Sequence, residues 1–193
     1  MKKIISFIYD SIIFIIVAPF GYLSKLIYLL FGSSILFDFF AQFFSLMPGF
    51  IGSTIRTCFY KQTLSKSSMD VFFGFGSFIT KIETRIGSGV LINGHSTVGL
   101  ADIGDGVVIA NFVSILSGSQ QHNFTNPDIG ILDEEGVYIR IIIGNDVFIG
   151  DHSVVMANIG EKTIVGAGSI VAKEIESYVI AVGNPAKVVK KRN

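Results

Sequence analysis

The sequence has a single cysteine, Cys58, and no net charge. One cysteine cannot build an internal disulfide framework, so the chain suits a reducing compartment, and we expect Cys58 to be a small buried apolar group. A formal charge of zero offers no bulk attraction for nucleic acid, which is not an expected partner. Charged residues make up only 16% of the chain, against 50% hydrophobic residues, so the apolar excess needs an explanation.

This apolar excess is concentrated at the start of the chain. Ten of the eighteen phenylalanines lie in the first fifty residues, and the run from Ser11 to Ser24 has no charge. As a helix the run would be roughly 21 Å long, shorter than the ~30 Å hydrocarbon core of a bilayer. Lys25 could reach the headgroups and extend the span to Phe31. No small-residue cleavage site follows, so we do not expect a removable signal peptide.

Residues 1–49 are therefore predicted to be an apolar helical segment that associates with a membrane. Three interpretations are open: an interfacial or embedded helical hairpin, a single span, and a soluble helical cap on the rest of the protein. The membrane is favoured because so many exposed Phe, Ile and Leu side chains would promote aggregation in water. Lys2 and Lys3 favour a cytoplasmic position for the terminus.

Residues 50–70 are predicted to be an amphipathic connector, and residues 71–193 a separate domain. In the connector, the basic residues Arg56, Lys61 and Lys66 stand among apolar ones. We expect these cations to contact either lipid headgroups or solvent, and the sequence does not decide between the two.

A six-residue repeat organises residues 71–193. From Ile143 to Val171 an aliphatic residue recurs at every sixth position, except that two residues are missing between Val155 and Ile159. This period fits a parallel β-helix, in which three units make one triangular coil with the aliphatic residue pointing inward. Coils must stack because one coil cannot bury its own face. Earlier units begin at Ile86, Ile92, Val98, Ile103, Ile109 and Ile115.

Two segments depart from the repeat, which is expected to close at Val171. Residues 120–140 are polar, rich in turn formers and long for a loop in a compact domain, which indicates a functional excursion. This excursion contains His122, Asp133, Glu134 and Glu135. The chain then ends in a basic tail that contains Lys187, Lys190, Lys191 and Arg192.

The three histidines are candidates for chemistry on this scaffold. His122, on the excursion, could act as a general base towards a hydroxyl acceptor, although its position alone favours a solvated loop residue. His95 and His152 lie inside hexads and are expected to be surface turn residues. Because the three lie on different coils, 27 and 30 residues apart, we do not expect a zinc site.

Together with the hexads, several local sequences resemble the hexapeptide-repeat acyltransferases, most closely the maltose and galactoside O-acetyltransferase branch. These sequences are QQHNF, IGNDVFIG, VGAGSIVAKEI and VGNPAKVVKKR. The apolar start leading into PGFIGSTIRTCFYK resembles the acyltransferases of bacterial surface-polysaccharide clusters. The resemblance extends from about Pro48 to Arg192. It implies a left-handed parallel β-helix, a homotrimer with active sites between subunits, and acetyl-CoA as donor, without a metal.

The resemblance also implies roles for individual residues. His122 would take the proton from a sugar hydroxyl that Asn93 holds, and the backbone amide of Asp151 would face the thioester. Phe148 stands where the family usually has tryptophan, beside Gly150. The other implied donor contacts are Ala167 and Lys173 along the pantetheine, and Lys187 and Lys190, with Arg192 as a further candidate, at the CoA phosphates. No acid is clearly assigned to orient His122, although Glu134 and Glu135 lie in the same loop.

The sequence therefore predicts an acetyl-CoA-dependent O-acetyltransferase at the cytoplasmic face of a bacterial inner or plasma membrane. Its acceptor would be a sugar hydroxyl of a surface polysaccharide or of a lipid-linked precursor. A direct ternary mechanism is expected because no residue resembles a poised nucleophile. Two alternatives remain: an N-acetyltransferase of an amino-sugar nucleotide, which would not need the apolar start, and a non-catalytic membrane-anchored β-helix scaffold, which would not need both His122 and a basic tail.

Overall fold

The computed structural model describes residues 2–121, 130, 133 and 136–192, with side chains described from residue 8 onward. Three helices come first, α1 (Lys2–Phe31), α2 (Ile35–Ser45) and α3 (Gly49–Thr63). The strands that follow are β1 (Phe72–Phe73), β2 (Phe78–Ile79), β3 (Arg85–Ile86), β4 (Leu91–Ile92), β5 (Thr97–Val98), β6 (Ala101–Ile103), β7 (Val108–Ile109), β8 (Ser114–Ile115), β9 (Ile141–Ile143), β10 (Phe148–Ile149), β11 (Val154–Val155), β12 (Ile164–Val165), β13 (Ile170–Val171), β14 (Val179–Val182) and β15 (Lys187–Lys191). A helical start followed by mainly β structure confirms the coarse prediction.

The strands form three sheets that the chain visits in turn. The seven-stranded sheet contains β1, β4, β7, β10, β12, β14 and β15, the five-stranded sheet contains β2, β5, β8, β11 and β13, and the three-stranded sheet contains β3, β6 and β9. All pairings are parallel except that of β14 with β15. Isolated bridges at Ile159 and Ile175 continue the three-stranded sheet. Each circuit of the chain therefore lies on the one before it.

The predicted inward positions form the core between the three sheets. The six aliphatic residues that carry the repeat from Ile143 to Val171 are at most 2% exposed, and the inward residues of the earlier hexads are also buried. A two-residue strand supplies one inward and one outward side chain, as in β10. Each buried Val or Ile contributes about 1.5–3 kcal/mol relative to an exposed one, so stacked circuits stabilise one another. The prediction that the aliphatic residue of each hexad points inward is confirmed.

The repeat continues beyond Val171, and the prediction that it closes there was wrong. The spacing shortens to four residues between Val171 and Ile175, as it does between Val155 and Ile159. Strand β14 then pairs with β12, and β15 turns back antiparallel to β14. The region predicted as a basic tail thus begins with core residues and ends as a strand.

The three helices pack on the first circuit. The backbone carbonyl of Ser45, at the end of α2, accepts a hydrogen bond from the N–H of Gly76, at 2.8 Å. The hydroxyl of Tyr60, on α3, accepts one from the N–H of Ile79, at 3.0 Å. Helix α1 lies along α3, where Gly21 leaves room for Gln62. The helices therefore make the contacts that a cap requires, while membrane association stays a prediction.

Arg56 is buried, at 1% exposure, so the prediction that it contacts lipid or solvent was wrong. Its guanidinium donates to the carbonyl oxygens of Phe44, Ser45 and Met47 and, from two nitrogens, to that of Phe73, at 2.8–3.3 Å. Carbonyls at the C-terminal end of a helix lack intrahelical partners, and a cation satisfies them well. Burial lowers the pKa of Arg56 below its ordinary value. This side chain joins the end of α2 to α3 and to β1.

Candidate active site

The turns from the seven-stranded to the five-stranded sheet stack into one corner, which we call the Gly150 corner. Its rungs are residues 74–76, 93–95, 110–112, 150–152, 166–168 and 183–184. Backbone hydrogen bonds join successive rungs, including those from the N–H of Gly150 to Val165 and from the N–H of Gly168 to Asp151, at 2.9 and 2.7 Å. Equivalent residues on neighbouring rungs are therefore about 4.8 Å apart.

The corner brings together four of the predicted site residues. Asn93 and Gly150 are each the first residue of a rung, and one rung lies between them. Their backbones are therefore roughly 10 Å apart. Asp151 and Ala167 occupy the next place on successive rungs. Gly150 has no room for a side chain, because a Cβ there would lie 2.5 Å from the backbone nitrogen of Ala167. The close approach of these rungs explains why this position is glycine.

A ladder of side-chain hydrogen bonds ends at Asp151. The N–H of Gly94 donates to the side chain of Asn111 at 3.1 Å, and the N–H of Asn111 donates to the carboxylate of Asp151 at 2.6 Å. The next rung carries Ala167, which has no acceptor to continue the ladder. Across the described ranges, the backbone N–H groups of Asp151 and Ala167 have no acceptor. Two preorganised donors are thus available to a polar ligand, as an oxyanion site requires.

The outer face of the seven-stranded sheet connects this corner to the basic strand. Phe148 points outward and is 42% exposed. The register leads from Phe148 through Ile164 and Ile180 to Lys190, three strand spacings or roughly 14 Å away. Lys187 pairs with the outward-facing Val182, so it lies on the same face, whereas Lys191 pairs with the buried Val179 and lies on the other.

Lys173 and the described base of the excursion lie at a different corner. Lys173 follows β13, at the turn that leaves the five-stranded sheet, so it is not beside Ala167 in the same chain. Gln121 follows β8 at the equivalent turn, and a hydrogen bond from the N–H of Val137 to Gln120 closes the base at 2.7 Å. His122, Glu134 and Glu135 lie outside the described residues, so their predicted roles stay predictions.

A cleft of about 410 Å³ lies at the base of the excursion, beside α2. Its walls include Asp38 and Gln42 from α2, Lys81 after β2, and Gln121 and Tyr138 from the two ends of the excursion. The ammonium of Lys81 lies 3.9 Å from the centre of the Tyr138 ring. The sequence patterns missed this cleft, because it forms only where a helix packs beside a sheet.

Aromatic rings form a column at the third residue of successive rungs of the Gly150 corner. The sequence patterns did not predict this column. The rings of His95 and Phe112 stack with centroids 5.0 Å apart, and those of Phe112 and His152 with centroids 4.9 Å apart. All three residues have φ between 57° and 59°, so equal left-handed turns place their rings in register. Phe75 meets His95 edge-on. His95 and His152 are exposed turn residues, as predicted.

Neither the cysteine nor the described histidines form a nucleophilic or metal centre. Cys58 is completely buried, and burial raises the pKa of its thiol to about 11, so the thiol stays protonated. This confirms the prediction that Cys58 is a small buried apolar group. Within the ranges that the structure describes, no three His, Cys, Asp or Glu side chains are grouped so that they could hold a metal ion.

Known proteins of similar sequence and structure are acetyltransferases by name. The chain is 34% identical over 129 residues to galactoside O-acetyltransferase of Escherichia coli (strain K12), covering 64% of this chain and 59% of that protein. A galactoside acetyltransferase solved in complex with coenzyme A has a TM-score of 0.71 at 24% identity, covering 82% and 80% of the two chains. A maltose O-acetyltransferase from Clostridium difficile 630 has a TM-score of 0.72 at 21% identity, covering 81% and 84%. No protein-family model matches the chain.

The chain therefore has the fold of the hexapeptide-repeat acetyltransferases. Its sequence is similar to the galactoside O-acetyltransferase type, which confirms the predicted resemblance. The chain spans well under two thirds of that relative's own length. The resemblance to enzymes of surface-polysaccharide clusters stays a prediction.

Replacing Gly150 by alanine is expected to destabilise the corner more than the same change at Gly94. The new Cβ at residue 150 would meet the backbone of Ala167 at 2.5 Å, whereas at residue 94 the nearest atom, the oxygen of Phe75, is 3.1 Å away. Overpacking against backbone costs about 1–3 kcal/mol, and we expect less than about 1 kcal/mol at residue 94. Urea unfolding of both variants measures the difference in the free energy of unfolding. Equal losses would show that the rungs at residues 150 and 167 move apart at no cost to accommodate the new Cβ.

Proposed function

We propose that this protein is an acetyl-CoA-dependent O-acetyltransferase that acts on a saccharide hydroxyl. The observation that carries the proposal is the pair of N–H groups at Asp151 and Ala167 that have no acceptor among the described residues, on a corner that leads along Phe148 to the outward cations Lys187 and Lys190. Relatedness to a galactoside O-acetyltransferase supports the reaction class, and a protein of the same fold was solved with coenzyme A.

The donor would lie along the seven-stranded sheet. Lys187 and Lys190, two cations on one outward face, would bind the phosphates of CoA. Phe148 would form an apolar wall without the indole N–H that tryptophan would add. The pantetheine would follow the rungs to the Gly150 corner and place the thioester carbonyl at the free N–H of Asp151. Lys173, at another corner, would reach a donor only if it belonged to a neighbouring subunit's site.

The reaction would be a direct transfer between two bound substrates. The acceptor hydroxyl, held by Asn93, would attack the thioester carbon while His122 takes its proton. The N–H of Asp151 would stabilise the tetrahedral oxyanion, which collapses as the carbon–sulfur bond breaks. The proton would pass from His122 to the departing sulfur, leaving an acetyl ester and the CoA thiol. Buried Cys58 has no part in this route.

A homotrimer of left-handed β-helices would complete the site. The described base of the excursion at Gln121 and the Gly150 corner lie at opposite ends of the five-stranded sheet of one chain. An excursion that leaves from one corner would meet the Gly150 corner of an adjacent copy when the copies pack side by side. This arrangement supports a site shared between subunits.

The acceptor and the cellular site follow from the apolar start. Helix α1, within residues 1–49, would hold the enzyme at the cytoplasmic face of a bacterial inner or plasma membrane. A saccharide of a surface polysaccharide or its lipid-linked precursor would then be within reach. The competing N-acetyltransferase would prefer an amine acceptor, so comparing a hydroxyl with an amine acceptor separates the two enzymes.

Replacing Lys187 and Lys190 together by glutamate is expected to weaken acetyl-CoA binding at least about tenfold. Each lost charge-assisted hydrogen bond contributes about 1.5–3 kcal/mol, and 1.4 kcal/mol is a factor of ten. Calorimetry on the detergent-purified protein measures this. Lys191→Glu is the control, because that side chain lies on the other face of β15. Absence of binding in the unmodified protein would favour the scaffold alternative.

A further inference from the structure

Helix α1 carries two stripes that have different surroundings. The inner stripe, Ile13, Val17, Gly21, Ser24 and Tyr28, recurs every three or four residues and is mostly buried. The outer stripe, Ile8, Ile12, Ile15, Pro19, Leu23, Leu26 and Leu30, recurs at the same spacing and is exposed, with exposed Ile16 beside it. A helix with 3.6 residues per turn places the two stripes on opposite sides. One side of α1 therefore packs against the rest of the protein, and the other side is exposed.

The inner stripe is attached along its length to the rest of the chain. Gln62, on α3, donates from its side chain to the carbonyl of Phe14 and accepts from the ammonium of Lys25 at its own carbonyl, both at 3.5 Å. Further along, the hydroxyl of Tyr28 donates to the carboxylate of Glu83 in the first circuit. These polar contacts join α1 to α3 and to the strands, so α1 cannot be surrounded by hydrocarbon while they persist.

Aromatic residues at the border of the outer stripe extend the apolar surface onto α2 and α3. Exposed Phe20 contacts Phe40 with ring centroids 5.0 Å apart, and Phe40 contacts exposed Phe39 at 5.1 Å. At the other end, Tyr9 stacks on Phe50, which is 70% exposed. Soluble monomers rarely expose so continuous an apolar surface, which marks a binding face.

We propose that this face lies flat in one leaflet of a lipid bilayer, so that α1 is an in-plane anchor and does not span the membrane. The inference deepens the membrane association proposed above and rests on it, but not on acetyl transfer.

Length and hydropathy favour lipid as the occupant. From Ile8 to Phe31, α1 has 24 residues and a mean hydropathy of 2.0, and only 22% of its most apolar window is buried, too little for a core helix. This part of α1 is about 36 Å long, and its outer stripe contains no charged residue.

Charge placement also favours lipid over a second protein. Protein interfaces have a polar rim that pairs with a partner, whereas a leaflet needs only an apolar face with cations at its borders. Lys25 is half-buried at the edge of the stripe, where its ammonium donates to the carbonyl of Gln62 and adds positive charge at the border of the apolar face. Lys2 and Lys3 supply further positive charge at the start of the helix.

An in-plane α1 also orients the cleft. Asp38 and Gln42 line it from α2, while Phe39 and Phe43 of the same helix are exposed towards the apolar face. The cleft would therefore open near the headgroups, where the saccharide of a lipid-linked acceptor is located.

The first test is binding of full-length protein to preformed vesicles. The whole chain is used because deleting α1 and α2 would expose Tyr60 on α3 and remove the carbonyls of Phe44 and Met47 to which Arg56 donates. Vesicles of phosphatidylcholine and phosphatidylglycerol are floated with the protein after detergent removal. Ile15→Glu is expected to lower the bound fraction at least tenfold, and Ile142→Glu, the same substitution at a 54% exposed position on the strands, to leave it unchanged.

The second test separates an in-plane helix from a span. A cysteine is added before Met1 in one variant and replaces Ser33 in another; native Cys58 is buried and unreactive. With protein bound to preformed vesicles, a membrane-impermeant maleimide should label both sites without detergent. Protection of one site until detergent is added would establish a span and overturn the proposal.

Two further results would also overturn it. Flotation that is absent, or that is equal for Ile15→Glu and the unmodified protein, would exclude lipid as the occupant. Dissociation of an oligomer by Ile15→Glu, without vesicle binding by the unmodified protein, would assign the face to a second copy. Acetyl-CoA binding in detergent, measured on the same samples, reports on the proposed activity separately, so failure of one proposal is distinguishable from failure of the other.

Discussion

Replacing His122 by alanine is expected to lower the turnover number by about 10²–10⁴-fold, the contribution of a positioned general base. The acceptor hydroxyl is a poor nucleophile until its proton is removed, so the loss should appear in kcat. The affinity for acetyl-CoA, which we assign to the sheet face and to the Gly150 corner, should change little. Steady-state kinetics with a saccharide acceptor, together with calorimetry for acetyl-CoA, separates the two effects.

His152→Ala is the matched control for this prediction. Its ring stacks on Phe112 at the exposed edge of the Gly150 corner, apart from the backbone N–H groups that we assign to acetyl-CoA, so we expect activity within a few-fold of the unmodified protein. Retention of activity by His122→Ala would exclude His122 as the base. A large loss in His152→Ala alone would move the proton transfer to the ring column.

Replacing Arg56 by methionine is expected to lower the free energy of unfolding by at least about 3 kcal/mol. Methionine approximates the length of the side chain but donates no hydrogen bond, so the carbonyls of Phe44, Met47 and Phe73 lose a buried partner. Each buried acceptor left unsatisfied costs about 1–3 kcal/mol. Relief from burying a charge offsets part of this loss. Denaturant unfolding in detergent measures the change.

Two variants control for the loss of charge and of donors. Arg56→Lys keeps the cation but has a single nitrogen, which cannot reach both the end of α2 and β1, so an intermediate loss is expected. Lys61→Met removes an exposed cation from the same helix, where the ammonium donates to the carbonyl of Ser67, and should change stability by less than about 1 kcal/mol. A loss below 1 kcal/mol in Arg56→Met would mean that water replaces the guanidinium.

Arg56 and Lys61 also show what a local sequence pattern cannot predict. Both are single cations among apolar residues of one short segment, and nothing local distinguishes them. Arg56 is buried because the end of α2 and the start of β1 present carbonyls at the same place. Those partners are up to 17 residues away in the chain, so no local pattern contains them.

The proposed donor-binding region also combines positions that the sequence predicted with features that only the structure shows. The positions of Gly150, Asp151 and Ala167 could be assigned from their resemblance to a family, and the structure places them on adjacent rungs. The reason for Gly150 became visible only when the backbone of Ala167 was seen beside it. Lys173 is six residues from Ala167 in sequence but on another corner, because the five-stranded sheet lies between them.

By itself the sequence determined the inward aliphatic positions, the parallel winding and the helical start, because burial of one residue per short strand imposes a period that can be counted. Only the tertiary structure decided the buried place of Arg56, the free N–H of Asp151, the ring column and the cleft beside α2. Each of these depends on groups from different circuits or from a helix and a sheet, and such contacts are set by packing over distances that no local repeat records.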